Sequence, residues 1–571
     1  LRPWSKKPVR QVRENLMRRT IVIGLDGATF DLLDPLMQRG LLPNLKGLVD
    51  RGVRGRLRTV IPPGTGPAWS SIVTGLDPSN HGIFDLIVRA VGSYNLGFLN
   101  SESLRAPTVW DVVGVFGGRV LVLNVPMTYP PHKVNGYLVS GLLTPAGSDR
   151  STYPPDLLGT LKGLEPGYKI VPTQAFSPGR VEAFMDELER VFDSKARVLK
   201  YLLKQADWQF VMQVFNETDF LQHALWYVLD PQHPRHSADL YRRYAGRIEG
   251  FYRKADALIG EIVETAGKEA SVMVISDHGH GPLHEFIHTN NLFIEKGLMK
   301  VKADLRSRLK YALFRMGFTP LGVYRAGNAL GLARLRMGLR WTSKGYRMLA
   351  RLFFSFSDID WKRTAAYAIS GGVYGAVFVN LKGREPEGAV DPADYEATRR
   401  RLAEVLMEMR HPGDGGRLVK SVLKREDVYR GRFTPEAPDL FFEPRDPTVG
   451  VFGDFEFSSN RIVEPASEAI SAQHRMEGVF MASGPDLKPG TDAQGLRVID
   501  VAPTLLHLME LPVPEGLDGR VVEDVLTDEV RTRRPPKYFR PQDMLDTSGG
   551  DRQTMEDESI KERLKGLGYI S

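Results

Sequence analysis

Short runs of consecutive apolar residues rich in Val, Ile and Phe recur along the chain, at 20–25, 120–125, 137–140, 209–215, 272–276, 375–380, 439–443 and 479–482. Continuous rather than alternating apolarity over such lengths predicts strands buried on both faces, as in a parallel sheet covered by helices. Between these runs, 30–38, 181–205, 238–266, 392–408 and 501–509 place apolar residues at helical spacing. The alternation predicts an α/β protein built on a mainly parallel central sheet flanked by helices, with its active site at the carboxyl ends of the strands. One stretch breaks the pattern. In 302–351, Leu305, Leu309, Leu313, Leu330, Leu332, Leu335 and Leu339 mingle with Arg and Lys, which predicts a basic helical insertion or cap. The Arg-, Pro-, Asp- and Gly-rich segment 531–551 reads as an extended arm, and 559–567 as a short final helix stopped by Gly568.

At 571 residues, 42% hydrophobic and 25% charged, the chain is long enough for a large core and unlike a disordered or fibrous protein. The best membrane-span candidate, 309–335, is interrupted by Lys310, Arg315, Arg325 and Arg334. The absence of Cys excludes disulfides, thiolate metal sites and a cysteine nucleophile, so any metal must be held by His, Asp and Glu. The net charge of +7 is unevenly spread. Residues 1–19 carry +6 and 302–351 carry +11, which leaves the remainder at −10, an acidic body with basic appendages. Nucleic acid is therefore disfavoured as a partner despite the pI of 9.2. Residues 1–19 lack the apolar stretch of a secretory signal, and the expected location is cytoplasmic.

Candidate chemistry gathers just after predicted strands. Asp26 follows 20–25, and Asp277 with His278 follows 272–276. Asp219 and His223, after 209–215, are four residues apart and share one helical face. His474 lies just before 479–482. An open parallel sheet gathers its strand ends into one crevice, so these distant residues can converge on a divalent metal. Three Asp and three His without Cys suit Zn²⁺, with Mn²⁺ next. His280, His284 and His288 are read as surface or satisfied core histidines, at most outer neighbours of such a site. The segment 62–71, Pro-Pro-Gly-Thr-Gly-Pro-Ala-Trp-Ser-Ser, offers Thr65 as a nucleophile on a tight turn ahead of a helix; as local features, Thr65, Ser70 and Ser71 fit helix caps equally well.

Five motifs, in order, then carry a resemblance: Ile23-Gly24-Leu25-Asp26-Gly27; Thr65-Gly66-Pro67 running into Thr74-Gly75-Leu76-Asp77-Pro78-Ser79-Asn80-His81-Gly82-Ile83; Asp219-x3-His223; Ser276-Asp277-His278-Gly279; and His474. Together with the late run Ile499-Asp500-Val501-Ala502-Pro503-Thr504-Leu505-Leu506 and Leu517-Asp518-Gly519, they resemble the alkaline phosphatase superfamily, in its type I phosphodiesterase/nucleotide pyrophosphatase branch. The resemblance implies an alkaline-phosphatase-like core and two divalent metal ions about 4 Å apart. Asp219, His223 and His474 would hold one, and Asp26, Asp277 and His278 the other, with Thr65 near both. It further implies in-line attack by Thr65, a covalent phosphothreonine and its release by water.

Three departures shape this expectation. Where relatives place an Asn on a phosphoryl oxygen, this chain has Leu86. The sulfatase pattern lacks both its first residue and its Arg in Thr65-Gly66-Pro67-Ala68-Trp69, and the phosphoglycerate mutase branch uses Ser where this chain has Thr65. The expected activity is hydrolysis of phosphodiesters or pyrophosphate-linked nucleotides; the alternatives are phosphomonoester hydrolysis or phosphomutase transfer on the same core, or a non-catalytic anion- or membrane-binding scaffold. The expected division is a basic extension at 1–19, a core at 20–301 and 364–530, a basic cap at 302–363, and an arm with a short helix at 531–571. The cap's charge suggests a small-molecule or lipid-linked phosphoester and peripheral contact with an anionic membrane.

Overall fold

The structure is a computed structural model that describes residues 17–90, 92–174, 176–329, 351–453, 457–540, 554, 555, 557 and 559–561. Nine strands form one sheet: β1 Thr20–Leu25, β2 Val53–Arg58, β3 Val120–Val125, β4 Gly136–Ser140, β5 Thr152–Tyr153, β6 Phe210–Phe215, β7 Ser271–Ile275, β8 Glu477–Ser483 and β9 Thr491–Arg497. Their spatial order is β9-β2-β8-β7-β1-β6-β3-β4-β5. The run β7-β1-β6-β3-β4 is parallel throughout. Every residue of β1, β3, β6 and β7 is buried, as their unbroken apolar runs require.

Alternate residues of β1 serve opposite faces. Ile21, Ile23 and Leu25 pack with residues of helices α1 Phe30–Gln38, α3 Val181–Leu203, α4 Glu217–Leu229 and α5 Ala238–Ala266. Val22 faces the other way, towards Trp69 and Ile72 of α2 Thr65–Thr74 and Leu505 of α7 Val501–Leu508. β8 runs antiparallel to both β7 and β2. Its amino end therefore lies at the carboxyl edge of the parallel strands, and β2, opposed to β8, also ends at that edge.

Between β7 and β8 the chain leaves this sheet and builds smaller ones. Two of the strands expected from apolarity, observed as Gly375–Val379 and Leu440–Pro444, lie not in the central sheet but in a four-stranded antiparallel sheet backed by helix Tyr395–Met407. A two-stranded ribbon, Gly279–Pro282 against Ala472–Arg475, carries the chain out and back.

In the segment expected to be a basic cap, helix α6 Leu305–Arg315 begins at Asp304, whose side chain accepts from the Ser307 amide, and a second helix spans Pro320–Ala329. The buried Lys310–Asp358 pair, 3.0 Å apart, ties α6 down; positions 330–350 fall outside the described residues. The expected extension at 1–19 is described only from 17, and the arm only to 540 apart from isolated positions; of the expected final helix, 559–561 are described and are helical. Among the described residues, no helix is long and apolar enough to cross a membrane.

Candidate metal centre

Four loops and the ribbon deliver side chains to the carboxyl edge. Asp26 leaves β1 and is followed by Gly27, whose φ of +67° suits glycine and whose Cβ would fall 2.5 Å from His280 Nδ1. From β6 the chain enters α4, where Asp219 and His223 stand one turn apart on one face. Ser276, Asp277 and His278 follow β7 directly, and the ribbon sets His280 opposite His474. After β2 the chain loops to Thr65, at the first turn of α2. All of these side chains are buried.

Two groups of ligand atoms lie within 4.8 Å of one another: Asp219, His223, His280 and His474, and Asp26, Asp219 and His278. Asp219 Oδ1 is 3.4 Å from His223 Nε2, 3.4 Å from His280 Nε2 and 3.6 Å from His474 Nε2. His278 Nε2 is 3.7 Å from Asp26 Oδ1 and 3.2 Å from Asp277 Oδ2. Thr65 Oγ1 lies 3.4 Å from the same His278 nitrogen. The structure thus brings Asp26, Thr65, Asp219, His223, Asp277, His278 and His474 into one crevice. Two differences from the expected sets stand out: Asp219 reaches both groups, and Asp277 joins neither, although it contacts His278.

His280 is the residue sequence reasoning missed. The sequence alone suggests a core or surface histidine, yet it points into the first group. The available signal was its spacing: positions 278 and 280 are two apart at the start of a short strand, where alternate side chains share a face. His288 is buried outside both groups, and His284 stands beside His233, with ring centroids 5.2 Å apart. His81, from the longest motif, is structural. Burial and the nearby Arg105 guanidinium push its imidazole down to about 3, and its Nε2 meets Ser71 Oγ at 2.9 Å, bracing α2 from behind. Asp518 accepts from the Asp77 amide at 2.8 Å and from Asn80 Nδ2, which locks the late turn onto the same motif.

The electrostatics describe a negative pocket that needs a cation. Burial, then the Asp219 charge, pushes the Asp26 carboxyl up to about 7, and Trp69 Nε1 and Asn216 Nδ2 both donate to its Oδ2. Burial and the Asp26 and Asp219 charges push Asp277 well above the usual carboxylate range. Burial acts on Asp219 in the same direction, but His223, His474 and His280 outweigh it and hold that carboxyl well below its usual value. Burial drives His278 and His280 well down, towards the neutral form that ligates metals. Among the described residues, Asp26 Oδ1, Asp277 Oδ2 and His280 Nε2 are buried with no hydrogen-bond partner. Buried charges and lone pairs left so are costly unless a cation satisfies them, so the residues present fit divalent metal binding.

Leu86 packs closely on Gly66, beside Thr65, so the position that resembles an Asn in relatives presents an apolar side chain. Gly66 lies in the first turn of α2, where amides have no intrahelical partner, and Pro67 contributes no N–H.

The family model for type I phosphodiesterase/nucleotide pyrophosphatase matches residues 20–454, which takes in every site residue named above except His474. No curated protein matches the chain. Among solved structures, human ectonucleotide pyrophosphatase/phosphodiesterase 5 is 14% identical, with 89% of this chain and 100% of that chain covered at a TM-score of 0.50. Phosphonoacetate hydrolase from Sinorhizobium meliloti 1021, solved with phosphonoformate, is 18% identical, with 85% and 95% covered at a TM-score of 0.50. At these identities the two structures speak for the shared fold.

Proposed function

We propose that this chain, which belongs to the type I phosphodiesterase/nucleotide pyrophosphatase family, hydrolyses phosphodiester or pyrophosphate bonds with Thr65 as its nucleophile and two divalent metal ions, Zn²⁺ first and Mn²⁺ second. Its class, a hydrolase acting on phosphoester bonds, follows from the family. The observation that carries the finer reading is the Thr65 hydroxyl at a helix start, 3.4 Å from His278 Nε2, in a crevice holding two overlapping donor groups.

Asp219, His223 and His474 would hold one ion, and Asp26, Asp277 and His278 the other, with Asp219 able to reach both. When bound, such ions neutralise phosphoryl oxygens and lower the pKa of a nearby hydroxyl or water. Thr65 Oγ1 forms a bond to phosphorus as the leaving oxygen departs from the opposite side, and water then cleaves the phosphothreonine, giving net retention at phosphorus. The Gly66 amide at the start of α2 is placed to bind a phosphoryl oxygen, a task Leu86 cannot share. The test is turnover of an aryl phosphodiester against the matching monoester, with chelated enzyme reconstituted separately with Zn²⁺ and Mn²⁺. A faster diester supports the reading. A faster monoester moves it to phosphatase or mutase chemistry, and no metal-dependent turnover of either favours the scaffold alternative.

Proton competition gives a second expected result. Asp26 is held up to about 7, and burial with the Asp26 and Asp219 charges pushes Asp277 in the same direction, so protons compete for these carboxyls in the metal-free crevice as pH falls through neutrality. A metal must displace such protons, so its Kd is expected to rise about fivefold as pH falls from 7 to 6. Chelator competition at pH 8, 7 and 6 measures this, and a flat profile contradicts the assignment of Asp26 as a ligand.

A lipid-linked substrate is a second reading, favoured by the outer face of α6. Leu305 and Leu309 are 84% and 60% exposed, and Met316, just past the helix, is 76% exposed. Arg306, Arg308 and Arg315 are exposed among them. An exposed apolar row flanked by cations suits an anionic bilayer. The chain is expected to sediment with phosphatidylserine-containing vesicles and not with neutral ones, and Leu305→Ser with Leu309→Ser should lower that binding several-fold. Equal binding to both vesicle types removes this reading.

A further inference from the structure

We propose that His280 is a fourth protein ligand of the metal ion assigned to Asp219, His223 and His474, an inference that rests on the metal-centre reading above. The first support is the spacing of the donor atoms. A tetrahedral Zn²⁺ site with ligand bonds of about 2.0–2.1 Å has ligand-to-ligand edges of about 3.3 Å. Asp219 Oδ1 lies 3.4, 3.4 and 3.6 Å from the Nε2 atoms of His223, His280 and His474, and His223 Nε2 is 3.1 Å from His474 Nε2. Those four edges bracket the tetrahedral value, and His280 supplies one of them.

The second support is the tautomer. His280 Nδ1 donates to the Gly27 carbonyl at 3.1 Å, just as His223 Nδ1 donates to Ala472 at 2.8 Å and His474 Nδ1 to Pro63 at 3.0 Å. A backbone carbonyl on the far nitrogen is the usual device that turns the other nitrogen's lone pair towards a metal. With its proton committed to Gly27, His280 Nε2 has none to donate to Asp219. Two lone-pair-bearing atoms 3.4 Å apart in a buried pocket repel unless a cation lies between them. His280 Nε2 is also buried with no hydrogen-bond partner among the described residues. The ribbon explains how the residue gets there, because His280 and His474 are register partners on opposing strands, and the left-handed turn at Gly27 leaves room for the ring.

With four protein ligands this ion would be the more crowded of the two and would meet a phosphoryl oxygen only by adding a fifth ligand, whereas the one at Asp26 and His278 would have more room beside Thr65. The test uses the full chain, wild type beside His280→Ala and His280→Phe, the latter keeping a ring without a lone pair. Each is stripped with chelator, checked for an unchanged circular dichroism spectrum and titrated with Co²⁺ and Zn²⁺. The expected result is two ions per wild-type chain. In both variants one ion should weaken about 100-fold or more, beyond the 10–100-fold typical of an outer partner, and the intense visible Co²⁺ band of a four-coordinate centre should be lost. An unchanged cobalt spectrum in the variants overturns the proposal. Asp219→Asn runs as the control: if it too leaves metal binding unchanged, the metal-centre reading fails as a whole, whereas loss in Asp219→Asn alone sinks only the role of His280.

Discussion

Thr65→Ala is expected to lower kcat on an aryl phosphodiester by about 10³-fold or more, equivalent to about 4 kcal/mol of transition-state stabilisation, while leaving metal content intact. The loss is specific because the serines that follow on the same helix, Ser70 and Ser71, cannot substitute. Ser71 Oγ is engaged with His81 on the far side of α2, and Ser70 is buried within the helix. Thr65→Ser keeps an Oγ at the same helix position and should recover most of the activity. Acid quenching during turnover followed by mass spectrometry should locate an adduct on Thr65. An adduct that retains one ester substituent identifies diester chemistry, and a bare phosphoryl group identifies monoester chemistry. Near-full turnover by the alanine variant with its metals in place would remove Thr65 from the nucleophile's role.

Much of this arrangement was legible in the chain because it depends on local pattern. The buried runs at 20–25 and 120–125 and the helical periodicity at 30–38 and 238–266 match the observed elements at both ends. A strand covered on both faces has to be apolar throughout, and a helix with one wet face has to be periodic. The strands at Val53–Arg58 and Thr491–Arg497 were missed for the same physical reason. They sit at the sheet's margin, bury only some of their side chains and carry Arg54, Arg56, Arg58 and Arg497, so neither presents a continuous apolar run. The separation of Gly375–Val379 and Leu440–Pro444 into a smaller sheet was also invisible, because strand apolarity reports burial and not which sheet does the burying. Within the crevice, the strand-end positions of Asp26 and Asp277 and the one-turn spacing of Asp219 and His223 could be read directly. For His280 the chain offers only its two-residue spacing from His278; its place opposite His474 depends on a ribbon partner nearly two hundred residues away, and pairing register is a long-range property.

Asp219→Asn is the variant expected to do the most damage. Of the three carboxylates, only Asp219 belongs to both donor groups, and its Oδ1 is the common neighbour of three imidazole nitrogens. The same imidazoles hold its carboxyl ionised well below its usual pKa, so at neutral pH it contributes a full negative charge that the amide cannot replace. Removing that charge from a buried, three-histidine environment should weaken metal binding by about 10²-fold or more and lower turnover by about 10⁴-fold at limiting metal. Asp277→Asn, which meets His278, Asp26 and the Gly27 amide and is not grouped with His223 and His474, should spare the ion on the His223 and His474 side. Metal content after gel filtration separates the two variants. Added Zn²⁺ separates both from Thr65→Ala: a fault in affinity is partly repaired by mass action, and a missing nucleophile is not. If Asp219→Asn retains two ions through gel filtration, the shared position of this carboxylate is wrong and the two groups must be held independently. If excess Zn²⁺ fails to raise its activity at all, Asp219 acts in the chemistry beyond holding metal.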